Sequence, residues 1–195
     1  MPRLRLLGRV PGSVYALLPA IVLAQVVLRS TVNYLHLPNW AAEAFLRLEG
    51  QPVLAFVLLV ISAPVLEEVL FRGILLTGLL RNYRPWVAIG QSALLFGLFH
   101  LNPVQTVSAG LMGLLLGWLY YRTRSLLLTI ALHALNNLLA LQASTHTATS
   151  KLNGVEDLFT SSWYYVAAVL LSALVLAVIL RRVHQRTVPD PAVVM

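Results

Sequence analysis

Residues 52–80 read PVLAFVLLVISAPVLEEVLFRGILLTGLL, an apolar run whose only charges are Glu67, Glu68 and Arg72. A helix crossing the hydrocarbon core needs about 20 residues, so this run is long enough to cross with residues to spare. Pro64 lies inside it and predicts a kinked or two-piece helix. Ionisable residues in such a segment cost upward of ~2.5 kcal/mol each at the helix centre, so they face a protein interior or a cavity and mark function. The three charges therefore set the question that the other spans have to answer.

The whole chain has the same character. Of its 195 residues 58% are hydrophobic and 11% charged, and the mean hydropathy is +0.79, far from the charge content of soluble domains. We read an all-α polytopic membrane bundle of about six transmembrane helices, so that any chemistry falls to the spans themselves. The net charge of +7 does not point to nucleic acid, because the basic residues recur as small clusters between apolar runs, the pattern of topology control. The absence of cysteine excludes disulfides, thiolate metal sites, a cysteine nucleophile and lipidation of this chain on Cys.

The first span is expected from Ser13 to Leu35 as a retained signal anchor behind Arg3, Arg5 and Arg9. A loop with an amphipathic piece, Ala41 to Leu48, follows. The later spans are expected at 52–80, 86–100, 103–121, 125–141 and 162–180, with a polar loop over 142–161. Three parts result: residues 1–51 as anchor and loop, 52–141 as core, and 142–195 as loop, last span and flexible basic tail. Clusters at 3–9, 81–84, 122–124 and 181–186 hold ten of the 14 basic residues. The positive-inside rule then places both termini in the cytoplasm of a multi-pass protein of the plasma (inner) membrane. Gly110, Gly113 and Gly117 suit close helix packing, and Trp40, Trp86, Trp118 and Trp163 are read as interfacial anchors.

At ~1.5 Å rise per residue, Glu67, Glu68, His100, His133 and Asn137 fall at similar depth from three separate spans. In hydrocarbon such groups meet one another or a water-filled pocket. Residues four apart share a helix face, so Arg72 can neutralise Glu68, while Glu67 projects about 100° away without a partner of its own. His133 and Asn137 are also four apart, and Phe96 can wall the pocket of His100 from one turn earlier. A water between Glu67 and His100, with His133 and Asn137 as donors to an oxyanion, has the parts for peptide hydrolysis.

Glu67-Glu68-x-x-x-Arg72, Phe96-x-x-x-His100 and His133-x-x-x-Asn137 together resemble, in order and spacing, the three motifs of the CPBP intramembrane proteases. That family includes the type II CAAX prenyl endopeptidases and bacteriocin self-immunity proteins. The resemblance covers roughly residues 52–141. It implies that Glu67 and His100 activate water, that His133 and Asn137 stabilise the oxyanion, and that Glu68, Arg72 and Phe96 support them. The implied substrate is a membrane-associated peptide or protein in the bilayer, prenylated or otherwise hydrophobic. No obligatory cofactor is favoured. Zinc on Glu67, His100 and His133 is the metalloprotease alternative, although the compact His-Glu-x-x-His signature is missing. Two non-enzymatic readings stand beside this one: a binding or immunity protein using the same pocket, and a proton-coupled transporter, which the lack of an internal repeat makes the weaker.

Overall fold

A computed structural model describes residues 8, 10–149 and 155–189, without the side chains of residue 49 and residues 144–149. The basic residues Arg3, Arg5 and Arg9, together with Lys151 and the tail beyond 189, lie outside the described residues. No strand occurs among the described residues. The chain forms seven helices among them: α1 (Gly12–Leu35), α2 (Ala42–Glu49), α3 (Pro52–Leu79), α4 (Pro85–Phe99), α5 (Pro103–Thr123), α6 (Leu126–Thr149) and α7 (Ser162–Arg186).

Proline sits at the first position of α3, α4 and α5, where its missing N–H costs nothing and its fixed φ suits the helix. Among the described residues, α1, α3, the segment Leu126–Ala143 of α6, and α7 are long and apolar enough to cross a membrane, and α4 is a shorter apolar helix. The protein is thus an all-helical, multi-pass membrane protein, with four clear spanning candidates where about six were expected. The difference lies in α4, which is short, and in α5, whose Gln105, Thr106 and Ser108 and closing Tyr120, Tyr121 and Arg122 dilute its hydropathy.

Three local expectations change. The helix α3 is one uninterrupted path and not two pieces; its irregularity appears as wide π-helical turns at Phe56–Ser62 and Val69–Leu76, on either side of Pro64. The segment 142–149, expected as loop, continues α6. Trp118 packs against the core, whereas Trp40, Trp86 and Trp163 are exposed as interfacial anchors should be.

The most extensive helix pair is α4 with α5, and α7 packs mainly on α1. Glycine sets the first contact. A Cβ on Gly97 would collide with the Thr106 carbonyl oxygen and meet Gly110 at 3.2 Å, and one on Gly113 would meet Ala93 at 3.0 Å. These backbones approach because no side chain intervenes, as small residues allow in membrane bundles. One core cluster gathers Ile21 and Val22 of α1, Phe71 of α3, Phe96 of α4, Leu116 of α5 and Leu132 of α6, and the polar site is built against it.

Candidate active site

Glu68 and Arg72 lie one turn apart on α3, and their side chains are 0% and 1% exposed. The Arg72 guanidinium donates to Glu68 Oε1 at 2.7 Å, so the ion pair expected from the four-residue step is present. Arg72 also donates to the Gly113 carbonyl at 3.4 Å and stacks over the Phe96 ring, 4.4 Å from its centroid. Arg72 is thus held on three sides, while its Nε and Glu68 Oε2 are buried without hydrogen-bond partners.

His133 completes that cluster. Its Nδ1 lies 2.9 Å from Glu68 Oε1. The carboxylate paired to Arg72 is an acceptor, so Nδ1 carries the hydrogen and donates. The other ring nitrogen, Nε2, then faces Glu67 Oε2 at 3.9 Å. His133 thus bridges the two carboxylates, a placement that helical spacing alone did not show. Glu67 is 18% exposed, and its Oε2 is buried without a hydrogen-bond partner.

His100 is fixed by the end of its own helix. Its backbone N–H turns to the Gly97 carbonyl at 3.2 Å, and its ring Nδ1 bonds the Phe96 carbonyl at 2.9 Å. A carbonyl only accepts, so Nδ1 donates and Nε2 remains as the acceptor of the neutral ring. Phe96 walls both imidazoles edge to face, with centroids 5.2 Å from His100 and 5.8 Å from His133. Leu101 then takes a left-handed turn at φ 50°, and buried Asn102 reaches back to Asn39 and to the Trp40 backbone N–H.

Asn137 is held through Pro64. In the first π segment the Ala63 N–H bonds the Leu58 carbonyl, five residues back. The next donor in that register, facing Leu59, is Pro64, which has no N–H. The Leu59 carbonyl accepts instead from Asn137 Nδ2 at 2.9 Å. An amide nitrogen carries two hydrogens, so Asn137 keeps a second N–H. In the other π segment the carbonyls of Phe71 and Arg72 also accept side-chain bonds, from the hydroxyls of Ser92 at 3.2 Å and Thr77 at 3.0 Å.

Glu67, His100, His133 and Asn137 line one cavity of about 570 Å³. Glu68, Arg72 and Phe96 stand behind its wall. The sequence reading missed Arg29 of α1, which lines the same cavity and donates to Asn136 Oδ1 at 2.8 Å, while Asn136 Nδ2 donates to Asn137 Oδ1 at 3.2 Å. Its only sequence signal was a lone arginine near the end of an apolar span. Helix α2 adds Ala42, Phe45 and Leu46 to the wall.

The proposed zinc ligands do not form a metal set. Among the described residues no three His, Asp or Glu side chains converge as metal ligands. His133 and His100 donate Nδ1–H to Glu68 and to the Phe96 carbonyl and so keep Nε2 free, and what a metal set lacks among the described residues is three such side chains converging on one point. The zinc alternative is therefore not supported by the residue geometry.

Residues 49–139 match the family model described as type II CAAX prenyl endopeptidase Rce1-like. This segment holds all three motifs. None of the curated proteins and none of the solved structures matches the chain.

Proposed function

We propose, from the match of residues 49–139 to the family model of type II CAAX prenyl endopeptidases, that the protein hydrolyses a peptide bond of a membrane-associated substrate inside the bilayer, with Glu67 as the base. The observation that carries this reading is the unpartnered, buried Glu67 Oε2 on the cavity wall, beside a His133 ring whose far nitrogen is held by the Glu68–Arg72 pair. A carboxylate so placed has capacity left for a water.

In this reading a water is shared by Glu67 and His100 Nε2. As its oxygen bonds to the substrate carbonyl carbon, Glu67 takes a water proton. The carbonyl becomes an oxyanion that accepts from the second N–H of Asn137 and from Nε2–H of His133, which donates in the imidazolium form, the charge state in which both ring nitrogens carry hydrogen. The C–N bond then breaks, and the proton on Glu67 passes to the leaving amine, giving a carboxylic acid and an amine.

The catalytic core is assigned to 52–141. Helices α4 and α5 are read as the two remaining crossings, which gives six spans with both termini cytoplasmic in the plasma (inner) membrane. The substrate is a peptide or protein seated in the bilayer, prenylated or otherwise apolar, in keeping with Phe45, Leu46 and Leu59 on the cavity wall. The test is Glu67→Gln, which keeps shape and removes the base. Cleavage of membrane peptides captured with that variant should fall at least ~100-fold, the scale of general-base catalysis, with folding intact. Persisting cleavage by the purified variant overturns the reading.

A further inference from the structure

Arg29 is the cavity-lining cation that no carboxylate of the site contacts. The Glu68–Arg72 pair is neutral as a unit, and Glu67 faces His133. Arg29 makes no ion pair among the described residues; its Nη1 bonds the uncharged Asn136 amide at 2.8 Å and lies 3.9 Å from the Met112 sulfur, and its Nε is buried without a partner.

A guanidinium enclosed in an apolar span without a counter-charge is costly, and it is suited to a planar carboxylate held by two parallel N–H bonds. We propose that Arg29 is a specificity residue that binds a carboxylate of the peptide occupying the cavity. This rests on the peptidase reading for the identity of the occupant. Asn136 lies three residues after His133 and bonds Asn137 at 3.2 Å, so the Arg29 head stands beside Asn137 and about one helical turn, ~5 Å, along α6 from His133. An extended peptide advances ~3.3 Å per residue, so one bound chain can meet both. The carboxylate is the chain terminus or an acidic side chain, and the two share this chemistry.

The experiment measures binding, so that it does not depend on turnover. Glu67→Gln protein in neutral phosphatidylcholine nanodiscs is titrated with dansyl-Phe-Leu-Val-Leu as the free acid, as the C-terminal carboxamide, and as a carboxamide with one Leu replaced by Glu. One of the two carboxylate peptides should bind roughly tenfold or more tightly than the plain carboxamide, the scale of a charged hydrogen bond, and which one identifies the source. Arg29→Gln in the same background should remove that preference, and Arg29→Lys should restore part of it. Equal binding of all three, no binding of any, or a preference that survives Arg29→Gln overturns the proposal. So does an affinity set by added anionic lipid instead of by the peptide, which would assign Arg29 to a headgroup phosphate. Cleavage by wild-type protein is scored separately, and its absence counts against the peptidase reading while leaving the binding result to stand.

Discussion

Removing Arg72 tests the site without any substrate. In Arg72→Met the side chain remains apolar and of similar length, but the carboxylate of Glu68, itself fully buried, loses the donor at 2.7 Å and keeps His133 at 2.9 Å. Glu68 Oε2 already has no partner, so nothing nearby takes over. Breaking a buried pair from one side costs about 3–5 kcal/mol, and loss of the contact with the Phe96 ring adds up to ~2 kcal/mol. Repacking of the methionine against Phe96 recovers part of this, and we expect a net loss of about 4 kcal/mol. The double variant Glu68→Leu/Arg72→Met removes both charges and should lose less than Arg72→Met alone, a coupling of ~1–3 kcal/mol. The assay is reversible unfolding in mixed micelles, followed by tryptophan fluorescence, since Trp118 packs against the core. A single variant that loses under ~1 kcal/mol, or a double variant whose loss equals the sum of the singles, would refute the view of Glu68–Arg72 as a mutually dependent buried pair.

Three further outcomes are expected. Glu67→Gln should unfold at or above the wild-type midpoint in the same assay, because it removes a buried carboxylate whose Oε2 has no hydrogen-bond partner, while cleavage is lost; a large destabilisation would mean that Glu67 is a structural anion. Gly97→Ala should destabilise by ~1–3 kcal/mol, since its Cβ meets backbone of α5 and overpacking is costly. Gly90→Ala on the same helix α4, where nothing lies within 4 Å of the added carbon, should be neutral or gain up to ~1 kcal/mol, and the pair of midpoints checks both. Pro64→Ala supplies an N–H that can reach the Leu59 carbonyl and free Asn137; turnover should drop ~10-fold or more with no loss of stability, and unchanged turnover would detach Pro64 from the site.

Much of the site was legible in the sequence because helix geometry carries information over four residues. Glu68 and Arg72 are a pair by their step along α3, and Glu67, one residue earlier, must point elsewhere. Equal depth in three spans was enough to gather Glu67, His100, His133 and Asn137 around one cavity. Helical spacing says nothing of rotation between spans, and there the reading stopped short. It placed His133 with Asn137 as donors, whereas the structure also ties His133 to both glutamates. It did not single out Arg29, because the contact with Asn136 joins positions 107 apart in the chain. The count of about six spans came from hydrophobic runs, and α5 weakens that count because its polar N-terminal turn faces the cavity through Gln105 and Ser108.

The π-helical turns of α3 bind these levels together. A regular helix gives each interior carbonyl a backbone donor, and any side-chain bond is a second one to the same oxygen. In α3 the proline leaves the Leu59 carbonyl to Asn137 on α6, while the Phe71 and Arg72 carbonyls of the second π segment also accept from Ser92 on α4 and Thr77 within α3. In lipid an unmatched carbonyl costs several kcal/mol, so the Asn137–Leu59 bond is strongly enforced and fixes the rotation of α6 against α3. The residues that open carbonyls on α3 thereby orient Asn137 from the first motif, three helices away in sequence. The charged stretch and the proline three residues before it are consequently one device: the charges supply the chemistry, and the missing N–H of Pro64 supplies the hydrogen-bond site that holds Asn137 beside them.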